Sequence, residues 1–278
     1  MDNRTWWAVE FECWVEPSCA AFRHKAQRRW APLYLRGLIG PGDRKSVEPL
    51  AARVAPADIQ QLHHFVATSK WDTGPLEEVL LAKADALVGG EDAHLIVDDT
   101  AIPKKGEHSV GVSHQYCGQL GKQANCQCLV SLTLARNEVP VPIALRLYLP
   151  ESWASDPARR KKTGVPQEIV FREKWRIALE EITRVVGAGV RFGDVLAYAG
   201  YGGISEFRHG LDRLGLRWAV NSRRCFSGAT GVDVPRQRCR RPAPSSKGTR
   251  VTAFGRRVRT ISIALREWSH EAGDQVVP

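Results

Sequence analysis

The sequence has no run of about 18 apolar residues, the length a helix needs to cross a bilayer, so a membrane-spanning helix is not expected. Its start, MDNRTWWAVEFECW, carries acids where an export signal would place a basic segment and an apolar stretch, which predicts a cytoplasmic protein. A disulfide framework is also missing. The seven cysteines, Cys13, Cys19, Cys117, Cys126, Cys128, Cys225 and Cys239, are odd in number and irregular in spacing, and they read as reduced thiols. No Lys-Ser or Lys-Thr pair follows Gly200, Gly202 and Gly203, which argues against a nucleotide-phosphate loop and for a turn. The tryptophans keep no fixed period, so packing is their default role.

What is present is a chain of 278 residues, 43% hydrophobic, long enough for one large domain or two small ones. A formal net charge of +10 and a pI near 9.5 favour a polyanionic partner such as nucleic acid over a neutral metabolite.

Residues 1–29 show no clean period, carry a basic patch at Arg23, His24, Lys25, Arg28 and Arg29, and read as a loosely attached lead-in. Over residues 30–90 apolar side chains recur at helical spacing, as in Leu62, Phe65 and Val66, with breaks at Gly40-Pro41 and Pro56; a small helical region is expected. The pattern then changes. HLIV followed by DDT and Pro103 reads as a buried strand, and CQCLVSLTLA and VPVPIALRLYLP read as two more, joined in a hairpin by Arg136-Asn137-Glu138. A polar loop from Asp156 to Gly164, an amphipathic helix from about Gln167 to Val186, a strand in DVLA running into a glycine turn, a helix over Ser205 to Leu214 and a strand in LRWAV complete residues 91–220. Three strands, helix, strand, helix, strand is the order of a ribonuclease H-like α/β core with a mixed sheet. Residues 221–278 form a basic tail expected to be irregular: between Asn221 and Thr260 eleven arginines and lysines face the single acid Asp233.

The stretch LIVDDTAIPKKGEHSVGVSHQYCGQLGKQANCQ resembles the signature of insertion sequence 701-like DDE transposases, as do LYLPESWASDPARRKKTGVP, VLAYAGYG and YLRGLIGPGDRKSVEPLA. The resemblance covers about Trp30 to Trp218. It implies an enzyme that cuts and joins DNA with two aspartates and a glutamate holding two divalent cations, with Mg²⁺ the natural hard ion. One metal would activate the attacking oxygen and the other would stabilise the leaving oxygen.

Carried over residue by residue, the first aspartate falls on Asp98, the expected metal ligand, with Asp99 the second choice. Strand alternation sends the two to opposite faces, so one of them faces such a site. The bland alternative is a pair of solvated strand-end acids near Lys104 and Lys105. The second aspartate's position holds Tyr198, a phenol with an ordinary pKa near 10 and a poor Mg²⁺ ligand. Asp194, about 13 Å away along an extended strand, does not replace it. No pattern for the glutamate helix is found in Asn221 to Pro278, and Glu267 and Glu271 lack its context. A frameshift near Asn221 with an early stop would explain that loss.

Lys104, Lys105, Arg159, Arg160, Lys161 and Lys162 sit in expected loops near strand ends, where they read equally as phosphate contacts or as solvated charge. His114, Cys117, Cys126 and Cys128 form a superficially zinc-like set whose spacing suits buried small side chains better. The expectation is therefore a transposase by descent, inactive in cleavage. Its partner would be DNA at the element's terminal inverted repeats, and it would act as a homodimer or with an intact transposase. A non-catalytic DNA-binding remnant and an inert pseudogene product are the rival readings.

Overall fold

The computed structural model describes residues 3–42 and 44–220, and the chain divides into two compact units, one ending at Lys83 and the other beginning at Ala84. The lead-in expected over residues 1–29 is instead helical. Helix α1 spans Asn3–Ala20 and α2 spans Lys25–Ile39. Trp7, Phe11 and Val15 recur every four residues, with Trp7 stacked on Phe11 at 5.4 Å and Phe11 and Val15 buried. Trp6, Val9 and Trp14 add apolar side chains to exposed faces, and this masks the period in the sequence. Three more helices follow: α3 (Val47–Val54), α4 (Ile59–Ala67) and α5 (Gly74–Val88). Gly40 caps α2, and Pro56 lies between α3 and α4, so both predicted breaks are real. The core of this unit gathers Phe22, Trp30, Leu50, Leu62 and Phe65. Phe65 stacks on Trp71 at 4.6 Å, and Phe22 meets both rings edge-on. A side chain at Gly37 would overlap Leu50, so the close approach of α2 to α3 depends on the missing Cβ.

The second unit is built on a six-stranded mixed sheet. Its strands are β1 (His94–Pro103), β2 (Ser113–Cys117), β3 (Lys122–Arg136), β4 (Val139–Leu147), β5 (Asp194–Ala197) and β6 (Arg217–Val220). The spatial order is β2-β3-β1-β5-β6, with β4 also paired to β3. β1, β3 and β4 pair antiparallel, while β1, β5 and β6 run parallel. This is the mixed sheet expected of a ribonuclease H-like core. Every residue of β3 from Val130 to Ala135 is buried, so both faces of the sheet are covered there. Its hairpin with β4 turns on Asn137 and Glu138, whose φ angles of 50° and 67° give a two-residue turn matched to strand twist.

Four local expectations need correction. β2 is a strand missed in the sequence, because SHQYC alternates polar with polar and buries only Cys117. The expected loop at Asp156–Gly164 contains a helix, α7 (Pro157–Thr163), preceded by the single turn α6 (Glu151–Ala154). Asp156 accepts the Arg159 amide at 2.9 Å, Pro157 opens the helix, and Gly164 closes it at φ 68°. The amphipathic helix, α8, spans Lys174–Gly187 and starts later than expected. Upstream of it the Arg160 guanidinium takes the carbonyls of Pro166, Gln167 and Ile169, oxygens that a helix would have used itself. The glycine turn after β5 is one helical turn, α9 (Ala199–Gly202), and α10 (Ser205–Arg213) follows. The basic tail expected over residues 221–278 lies outside the described residues.

Candidate active site of a DDE-type core

Parallel pairing of β1 with β5 sets Val97 opposite Ala197. The next residue on each strand, Asp98 and Tyr198, are therefore lateral neighbours where the parallel pairing ends, about 4.8 Å apart in backbone spacing. The Tyr198 amide donates to the Val97 carbonyl at 3.4 Å, which continues the ladder by one step. The Asp98 backbone is pinned from the other side. Buried Ser131, its partner on β3, donates its hydroxyl to the Asp98 carbonyl at 2.9 Å and accepts from the Thr100 hydroxyl at 3.3 Å. The Asp98 carboxylate accepts the Asp99 amide at 2.8 Å. Tyr198 is 53% exposed, so the phenol stands in solvent.

Asp99 has a different environment. Lys174, the first residue of α8, donates to its carboxylate at 2.8 Å, and the Tyr201 hydroxyl of α9 donates at 2.6 Å. Lys174 also reaches the Cys128 sulfur at 3.0 Å and lies over the Tyr148 ring. Burial pulls the Lys174 ammonium down, yet Asp99 and Cys128 outweigh it and hold it above its ordinary value. Burial first, and the Asp99 charge second, keep the Tyr201 phenol well above its ordinary value and push the Cys128 thiol up to about 12. Asp99 is thus the anchor of a polar cluster that ties α8 and α9 to β1.

A family model described as DDE superfamily endonuclease matches residues 18–272. The chain belongs to the DDE superfamily endonucleases. It is also 31% identical over 185 residues to a protein named a probable transposase for insertion sequence element IS701, from Microchaete diplosiphon. That match covers 66% of this chain and 46% of the relative, so the chain spans about half the length of the curated relative it matches.

Members of this superfamily generally use divalent metal ions. Among the described residues the donor set does not fit a two-metal centre. The residue that follows β5 at the end of the β1–β5 ladder is Tyr198 and not a carboxylate, Asp99 is held by an ammonium and a hydroxyl, and no three His, Cys, Asp or Glu side chains among the described residues group to hold a metal. Asp194 is on β5 as expected but binds elsewhere, 3.2 Å from Arg217 and 3.6 Å from His94. Glu267 and Glu271 lie outside the described residues.

The six basic residues proposed for phosphate contact separate into two groups. Arg159 lies 3.6 Å over the buried Trp153 ring and donates to the Glu107 carbonyl at 2.7 Å. Arg160 is spent on the carbonyls that follow α7. Lys105, Lys161 and Lys162 are exposed and Lys104 is half-buried. The 104–112 loop is fastened to α6 and α7 by the Arg159–Glu107 bond and by the Trp153 indole donating to the Val112 carbonyl at 2.6 Å. Cys117 and Cys126 are buried with Ala101, and burial pushes the Cys126 thiol up to about 11, as suits packed thiols. Lys174 and Tyr201 were not foreseen as partners of Asp99. Tyr201 lay in the VLAYAGYG motif, but no local pattern marks Lys174.

Proposed function

We propose that this chain is a transposase by descent that binds DNA but does not cut it. The observation that carries the reading is Tyr198 one residue past the β1–β5 register, its amide bonded to the Val97 carbonyl just before Asp98: phosphoryl transfer on hard divalent ions needs carboxylates, and these two positions offer one carboxylate and a phenol. Support for the DNA partner comes from the family match, the relative's name and the net charge of +10. The DNA would be the terminal inverted repeats of its element, held by a homodimer or alongside an intact transposase.

Two measurements test the reading. Supercoiled plasmid carrying the terminal repeats, incubated with the protein and Mg²⁺ or Mn²⁺, should stay unnicked; metal-dependent nicking that Asp98→Ala abolishes would sink the proposal. In parallel, Mn²⁺ binding followed by electron paramagnetic resonance should be weak in the parent and tighten by about tenfold or more in Tyr198→Asp, which places a second carboxylate beside Asp98. Equal Mn²⁺ affinity in Tyr198→Asp and Tyr198→Phe would remove Tyr198 as the cause of inactivity.

A further inference from the structure

We propose that the ribbon formed by β2 and the start of β3 is a stacking platform for an unpaired nucleotide of DNA. The inference rests on the DNA-binding reading above and deepens it, giving a site in the sheet unit and the state of the DNA that the site takes. β2 pairs with β3 from Ser113↔Cys126 to Cys117↔Lys122, whereas β1 meets β3 only from Cys126 onward. Residues 122–125 thus pair within a two-stranded ribbon, and strand alternation gives that ribbon two faces. Cys117 and Cys126 are buried with Ala101 of β1, and Ala124 packs against them, so the inner face is fixed to the sheet. The outer face sets Tyr116 across from Gln123 and His114 across from Asn125. Tyr116 is 62% exposed, and His114 and Gln123 are exposed as well. An aromatic ring held out in water on a strand clamped from behind is already ordered, so a ligand that stacks on it spends little on fixing it.

The charge of the ribbon selects the ligand. No Asp or Glu occurs in the sequence between Glu107 and Glu138. Lys122 is exposed where the turn enters β3. The Lys104 amide donates to the Asn125 carbonyl at 2.9 Å, and the Asn125 side chain donates to the carbonyls of Lys104 and Gly106 at 3.3 and 2.8 Å. The loop that carries exposed Lys105 is thereby fastened to the ribbon. Ammonium groups suit phosphates, a phenol ring suits the face of a base, and amides and imidazoles both donate and accept as base edges do. Within a duplex each base face is covered by its neighbours, so a ring stacks only on a base that has left the helix. A fully paired duplex would meet the lysines and leave Tyr116 unused. The ligand that uses both is a strand frayed from a duplex end.

The test compares a fully paired duplex with the same duplex forked at one end by a few mismatched nucleotides, using the full chain, Tyr116→Phe and Tyr116→Ala. The Tyr116 side chain is exposed, and an unchanged thermal unfolding profile confirms that each variant folds. At about 100 mM salt the parent should bind the forked end about tenfold more tightly than the paired one, the scale of one base stacked on an aromatic ring. Tyr116→Phe should keep that preference, because the ring and not the hydroxyl does the stacking. Tyr116→Ala should lose it while holding the paired duplex as the parent does. A 2-aminopurine placed in the fork should dim when the parent or Tyr116→Phe binds and stay bright with Tyr116→Ala. If the parent holds both duplexes equally, or Tyr116→Ala keeps the preference for the fork, the ribbon assignment falls and DNA binding stands. If the parent binds neither duplex, both readings fall.

Discussion

Asp99 is exposed, yet its carboxylate is answered twice, by Lys174 and by the hydroxyl of buried Tyr201. Tyr201→Phe removes one of the two bonds while water can replace it on the exposed carboxylate, so it should destabilise the protein by about 0.5–1.5 kcal/mol at pH 7. The same interaction sets a pH dependence. Tyr201 and Lys174 both have folded pKa values above their unfolded ones, so their contributions are complete below about pH 10 and fade as pH rises beyond it. Urea titrations between pH 8 and 11 should show stability declining above pH 10, less steeply in Tyr201→Phe. An equal slope in the variant would remove Tyr201 from the account. At this scale the sequence was half legible. Strand β1 was legible around the Asp98-Asp99 pair, which pairs with Ser131 and Val130 of β3. The partners of Asp99 stand 75 and 102 residues away in the chain, where no local pattern links them to it.

Elements were legible where apolar residues declared a period. The β3–β4 hairpin was clear from two apolar runs around a polar turn, and it carries a correctable strain: Glu138 has a Cβ and yet sits at φ 67°. Glycine is favoured at the second position of such a turn, so Glu138→Gly should raise the urea midpoint, by about 0.5–1 kcal/mol of stability, without altering the slope. An unchanged or lower midpoint would show that the Glu138 side chain contributes more than the strain costs. β2 and α7 were illegible for the opposite reason. α7 has no buried residue, so only its caps announced it, and β2 has one buried cysteine in a polar strand. α1 erred the other way, with too many apolar side chains to show a face.

For the whole molecule the decisive quantity is charge, and its placement separates two modes of DNA binding. Contacts to base edges would supply preference between sequences, whereas long-range attraction to DNA scales with the number of cations brought near phosphate. In the sequence the densest cations follow residue 220, among them Arg236, Arg238, Arg240 and Arg241 within six positions. Each guanidinium withdrawn from a phosphate should lower the slope of log affinity against log salt by about 0.9, so glutamine at these four positions should flatten it by up to about 3.6. Affinity for random duplex at low salt should drop with it. The enriched sequence should not change, because guanidinium groups on phosphates carry no base information. Fluorescence anisotropy on a random duplex from about 50 to 300 mM salt, beside selection of bound sequences from a randomised duplex library, reads both quantities. A flattened slope with an altered preferred sequence would mean that these arginines read bases, and an unaltered slope would mean that they do not meet the DNA.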